Sequence, residues 1–135
     1  MSDIARRWTS FAPQLRSILR IVTALIFLNL GSMKLFAFPH GMPPDNGTAK
    51  FMTQIWIGGV LEVVGGALLL LGLFTRPTAF VLSGMMAVAY FQFHFPQGFW
   101  PSVNGGNPAI LCCFILLYLS AAGAGPWSLD ARRAG

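Results

Sequence analysis

The chain has 135 residues, 55% apolar, 13% aromatic and only 10% charged. Ordinary soluble domains carry about 25% charged residues, so this composition excludes a soluble monomer. Four spans of ~20 residues with short connections consume nearly the whole length and leave no room for a separate catalytic domain. The net charge of +5 comes from nine Lys/Arg against four Asp/Glu, with no basic run longer than two residues. That pattern fits the flanks of membrane helices and excludes a nucleic-acid surface.

In chain order, residues 1–15 form a cytosolic N-terminal segment and residues 16–135 the membrane domain. Ile4, Trp8, Phe11 and Leu15 recur at intervals of four, three and four, which predicts a short interfacial helix. Pro13 supplies the alternative, a frayed terminus. The first span runs over 17–38, roughly 33 Å at 1.5 Å per residue, long enough to cross the hydrocarbon core. Arg6, Arg7 and Arg16 resemble a signal n-region, but no small-residue cleavage site follows, and retention is expected. The second span covers 54–74. The third, 78–95, follows Thr75, Arg76 and Pro77. The fourth, 108–124, starts at a proline and stops at Gly125 and Pro126.

Loop charge sets the expected orientation. Arg6, Arg7, Arg16 and Arg20 precede or open span one, Arg76 lies between spans two and three, and Arg132 and Arg133 follow span four. The other two loops contribute only Lys50. The positive-inside rule therefore puts both termini and the Arg76 turn in the cytoplasm.

Ionisable residues inside the spans are the informative minority, because an unpaired charge at mid-bilayer costs at least ~2.5 kcal/mol. Arg20, Thr23, Phe27, Gly31 and Lys34 share one stripe of helix one, and both cations have the reach to snorkel to their own interfaces. Glu62 lies about eight residues inside span two, too deep for its short side chain to reach water. It shares a face with Gly58, Gly65 and Gly72, which predicts packing against another helix. Lys34 and Glu62 differ in depth by only about 6 Å. An ion pair, or a protonated Glu62, are the two physical solutions, and a pair that merely fixes helix register is the structural alternative.

Of the two histidines, His94 is the better inward-facing candidate, since Ser83, Ala87, Tyr90 and His94 form a stripe on helix three. Neither it nor His40 lies in a metal-ligand motif, and no metal is expected. Cys112 and Cys113 are adjacent, so their side chains diverge by about 100° and read as packing. No GxSxG, phosphate-binding glycine loop or paired carboxylate occurs, so hydrolysis and phosphoryl transfer have no machinery. The Asn104-Gly105-Gly106-Asn107 turn could offer amides to an anion or a quinone carbonyl. A plain turn is the alternative.

Together, the stretch from Arg20 to Lys34, the stretch from Gly59 to Arg76, the Asn104-Gly105-Gly106 turn and the terminal Gly125-Pro126-Trp127-Ser128-Leu129-Asp130 resemble the DoxX family of small four-helix membrane proteins. The similarity covers residues 16–130. Asn107 stands where many members carry an acidic residue after the Gly-Gly pair. The resemblance implies a subunit of the bacterial inner membrane, linked to quinone and to an oxidoreductase partner protein. It suggests Glu62 and Lys34 as the catalytic pair, with Lys34 and His94 donating to the ring oxygens and Glu62 as proton acceptor or orienter. Tyr90, Asn104, Gly105 and Gly106 would complete the cofactor site. The expected fold is all-α, a four-helix transmembrane bundle with both termini cytoplasmic. A homo-oligomer, a non-enzymatic scaffold or assembly factor, and a small proton- or cation-linked carrier remain as rival readings.

Overall fold

The computed structural model describes residues 1–134 of the chain. Among them no strand forms, and one isolated bridge joins Met42 to Gly47. Seven helices follow in order: α1 Asp3–Ser10, α2 Ala12–Phe36, α3 Gln54–Leu71, α4 Thr75–Ala89, α5 Pro101–Asn104, α6 Asn107–Ala122 and α7 Leu129–Ala134. With its extension to Gln97, α4 joins α2 and α3 as helices long and apolar enough to cross a membrane, while α6 is a shorter apolar helix of 16 residues. Large apolar side chains such as Phe80 and Val88 on α4, Phe91 on its extension, and Leu111 and Phe114 on α6 remain exposed. Such uninterrupted apolar exterior is the mark of a surface solvated by lipid.

The helix boundaries have local causes. Ser2 caps α1, accepting from the Ala5 amide at 3.2 Å, and Pro13 lies in the first turn of α2, where a missing amide costs nothing. Pro13 therefore separates two helices instead of fraying the terminus. Helix α3 stops at Leu71, earlier than the expected 74, because Gly72 turns left-handed at φ +67°. Leu73 N–H then donates to the Leu68 carbonyl at 2.9 Å, closing the helix end. Helix α4 starts at Thr75, before the expected 78, because a cap arrives from far along the chain. The Asp130 carboxylate accepts from the amides of Phe74 and Thr75, both at 2.9 Å, and a carboxylate at a helix N-terminus satisfies both hydrogen bonding and the dipole.

Packing runs through glycine, though not along one stripe. Helices α2 and α3 share the most extensive interface. A Cβ at Gly31 would come within 2.8 Å of the Gly59 carbonyl oxygen, and one at Gly66 within 3.0 Å of the Leu28 amide nitrogen. Gly65 faces the other way, onto Leu82 of α4, whereas Gly58 faces open space. The expected single packing face of Gly58, Gly65 and Gly72 is thus corrected: Gly65 and Gly72 pack closely, and Gly58 does not. Helices α4 and α6 pair in turn, and the core joins Phe27, Leu69, Leu82, Met86, Leu116 and Leu119.

Gly65→Leu tests this arrangement. A Cβ there would lie 2.8 Å from Leu82 Cδ1, and Leu82 is buried, so overpacking should cost about 1–3 kcal/mol. Folded yield in detergent should fall clearly, while Leu68→Val on the same helix costs about 1 kcal/mol or less. Equal yields for the two variants would remove the close-approach argument.

Candidate functional site

Gly31 and Gly59 bring the α2 and α3 backbones together just below Lys34. A Cβ on Gly59 would meet the Lys34 Cβ at 3.1 Å, so Lys34 is carried directly onto the α3 surface. From there its Nζ donates to Glu62 Oε1 at 2.6 Å. The ion pair is the solution the structure adopts, and Lys34 does not snorkel. The two ends differ in environment: the Glu62 side chain is 1% exposed, that of Lys34 27%. Glu62 Oε2 is buried and has no hydrogen-bond partner among the described residues.

Both residues line a cleft of about 500 Å³ between α2, α3, α4 and α6, a size within the roughly 300–1,000 Å³ of small-molecule sites. Its walls are mainly apolar, including Leu30, Ile55, Met86, Phe93 and Ala109. Gly58, one turn from Glu62 on α3, contributes the open space of a missing side chain. Met42 reaches in from the loop after α2, and Cys112 from α6. Gln54 also lines the cleft and exchanges two amide hydrogen bonds with Gln92, at 2.6 and 2.9 Å. Sequence reading passed over this pair, although two amides flanking apolar helices were a visible signal.

The residues expected around a cofactor separate into two groups. His94 and Gly105 line the cleft. Tyr90, Asn104 and Gly106 lie outside its lining and form a brace. Asn104 is buried; its Nδ2 donates to the Gly98 carbonyl at 2.8 Å and the Tyr90 hydroxyl at 3.3 Å, and its Oδ1 accepts from the Gly106 amide at 2.8 Å. Gly105 N–H donates to the Pro101 carbonyl. The two glycine amides of the turn are thus engaged within the chain. The continuation of α4 widens into a π-helix over Tyr90–His94 and tightens to a 3-10 turn at Phe95–Gln97, yet the Tyr90 and His94 rings still stack, with 6.4 Å between centroids, and only His94 reaches the cleft lining. Pro96 has no amide to continue the helix. His94 Nδ1 lies 3.1 Å from the Asn104 carbonyl oxygen. A carbonyl only accepts, so this contact assigns the Nδ1–H tautomer and leaves Nε2 as the acceptor of that tautomer.

At the other end, Arg20 departs from the expected snorkelling. It is 0% exposed, and its guanidinium donates to the carbonyls of Ala124 at 2.9 Å and Trp127 at 2.7 Å. Ser17 Oγ accepts from the Trp127 amide at 3.1 Å. The segment after α6 is thereby folded onto α2, and Asp130 is delivered to the start of α4. Burial raises the Asp130 pKa, but the Thr75 and Phe74 amides and the nearby Arg133 outweigh it and hold the carboxyl below its ordinary value. Arg76 donates to the Ser120 and Ala121 carbonyls, placing a cation at the C-terminus of α6 where the helix dipole favours it. A second hollow of about 550 Å³, lined by Arg16, Thr75, Arg76 and Asp130, opens beside this clamp.

Apolar helices with lipid-type exteriors and an ion pair at the wall of an apolar cleft define a small polytopic membrane protein. The DoxX family profile matches residues 15–95, and the chain belongs to the DoxX family. It is 43% identical over 123 residues to an uncharacterized protein of Haemophilus influenzae, covering 89% of this chain and 91% of that protein. It is 31% identical over 130 residues to an uncharacterized membrane protein of Mycobacterium tuberculosis, covering 84% and 78%. No solved structure matches the chain.

Proposed function

We propose that this DoxX-family protein is a quinone-linked membrane subunit, built as a four-helix bundle in the bacterial inner membrane, with the cleft receiving a quinone head group. The observation that carries the reading is the buried Glu62 carboxylate, paired to Lys34, at the wall of an apolar cleft of about 500 Å³. A charged pair in such a place is costly unless it orders the structure or meets a ligand. Lys34, the more exposed partner, is the donor to a ring oxygen. Glu62 fixes Lys34 and accepts, and His94 supplies a further polar contact. Gly105 borders the cleft, while Tyr90, Asn104 and Gly106 hold the loop that closes it. A bound quinone supplies two-electron, two-proton chemistry, with electrons delivered by an oxidoreductase partner protein.

A second reading is a non-enzymatic scaffold or assembly factor. It is favoured by the self-contained bonding of Tyr90, Asn104 and Gly106, which leaves these polar groups fully used in structure. Purification of the full chain in lipid nanodiscs, followed by solvent extraction and mass spectrometry, separates the two. Quinone is expected in the extract of the parent and severalfold less in that of Gly58→Phe, which fills the cleft from its open side. A stable protein partner with no quinone in either extract supports the scaffold. A carrier that uses Glu62 as a proton or cation site predicts ion flux in liposomes instead.

In this arrangement both termini face the cytoplasm, and the exposed apolar line of α1, including Ile4 and Trp8, rests on the inner leaflet. Orientation is testable with single cysteines in a Cys112→Ala, Cys113→Ala background. Ser102→Cys should react with an impermeant thiol reagent added outside intact cells, and Arg132→Cys only after permeabilisation. Arg132 is the better inner position because Arg76 caps α6. The reverse labelling would invert the topology.

A further inference from the structure

We infer that the cleft discriminates between redox forms of its ligand, binding a hydroquinone more tightly than the corresponding quinone. The inference rests on the quinone reading above and adds to it a donor and acceptor count. Glu62 Oε2 is a buried acceptor without a partner, on a residue that is 1% exposed and borders the cleft. Its other oxygen already accepts a hydrogen bond from Lys34 Nζ at 2.6 Å. His94, with Nδ1 committed to the Asn104 carbonyl, brings a second acceptor, Nε2, to a residue lining the same cleft. Among the described residues lining the cleft the cationic donor is Lys34, whose ammonium has further N–H groups beyond the one hydrogen-bonded to Glu62.

A quinone carbonyl only accepts. It could take a proton from Lys34, but it would leave Glu62 Oε2 as unsatisfied as before and set a second acceptor beside it. A phenolic hydroxyl accepts from Lys34 and donates to Glu62 Oε2 with the same oxygen. The second hydroxyl of the ring has the matching acceptor in His94 Nε2. Satisfying a buried charged acceptor strengthens binding, and sites built around such groups reject analogues lacking the donor. The apolar walls treat the two rings alike, so the discrimination falls on these polar groups. By linkage, a tenfold preference for the reduced form raises the midpoint potential of the bound couple by about 30 mV.

The test is calorimetric titration of the full chain in nanodiscs, under anaerobic conditions, with menadione and with its hydroquinone, empty nanodiscs giving the partition baseline. The hydroquinone is expected to bind at least tenfold more tightly. In Glu62→Gln the carboxylate gives way to an amide that also donates, and the preference should shrink to threefold or less, or reverse. Should that variant fail to fold, His94→Phe removes the other acceptor and should reduce the preference, hydroquinone affinity falling by a larger factor than menadione affinity. Equal affinity, or tighter binding of menadione by the parent chain, overturns the discrimination and leaves the quinone reading standing. Binding of neither form overturns both.

Discussion

Lys34→Met should destabilise the folded protein by about 3–5 kcal/mol, the cost of leaving a buried charge without its partner. The reason is the asymmetry of the pair. Glu62 is 1% exposed while the Lys34 side chain is 27% exposed, so removing lysine strands the deeper charge, which already has one oxygen unpartnered. Glu62→Leu should be milder, because the lysine left behind has the reach to find water or headgroups. The double variant Lys34→Met, Glu62→Leu should be near neutral or more stable than the parent, since apolar replacement of a buried pair is often favourable. Unfolding of the four proteins in one detergent gives the cycle directly. Single variants as stable as the parent would show that the pair has no energetic coupling. The same double variant should lose quinone from the nanodisc extract if the pair is chemical, and should keep it if the pair only fixes helix register.

Hydropathy made the spans legible, because membrane solvation demands long apolar helices and little else has that signature. Glu62 was legible for a related reason: a carboxylate deep in an apolar helix requires a partner, and helical rise put Lys34 at matching depth. What remained hidden was everything set by backbone geometry or by sequence-distant contacts. The π-turn at Tyr90–His94 has no local signature: the two rings stack as their spacing implies, but only His94 lines the cleft. Glycine periodicity of seven was read at Gly58, Gly65 and Gly72, whereas the α2 contact uses Gly59 and Gly66, one residue on. Two overlapping stripes of equal period cannot be separated by period alone. The Asp130 cap on α4 joins residues 55 and 56 positions apart, a contact that no local pattern announces.

The Arg20 clamp is where that distant contact has its largest expected effect. Arg20→Met removes two charge-assisted hydrogen bonds and leaves the Ala124 and Trp127 carbonyls without this donor. At about 1.5–3 kcal/mol per bond to a charged group, offset by the relief of a buried cation, the net loss should be about 2–3 kcal/mol. Arg20→Lys should not restore it, because an ammonium cannot present the planar fork that reaches two carbonyls at once. Release of the tail should appear locally before global unfolding: trypsin, read by mass spectrometry, should cut after Arg132 and Arg133 faster in Arg20→Met than in the parent. Cutting after Arg6 and Arg7 should be unchanged. Acid should act on the same clamp through Asp130, whose folded pKa lies below its ordinary value. The sign follows from linkage: the carboxylate stabilises the fold above the ordinary carboxylate range, and this contribution disappears as pH falls through the lowered folded value. Amide exchange in the C-terminal segment of the parent should therefore rise during an acid pulse below about pH 4, whereas Asp130→Asn should show raised exchange at neutral pH and little further change. Tail exchange that is the same in parent, Arg20→Met and Asp130→Asn at neutral pH would show that the clamp does not hold the C-terminal segment.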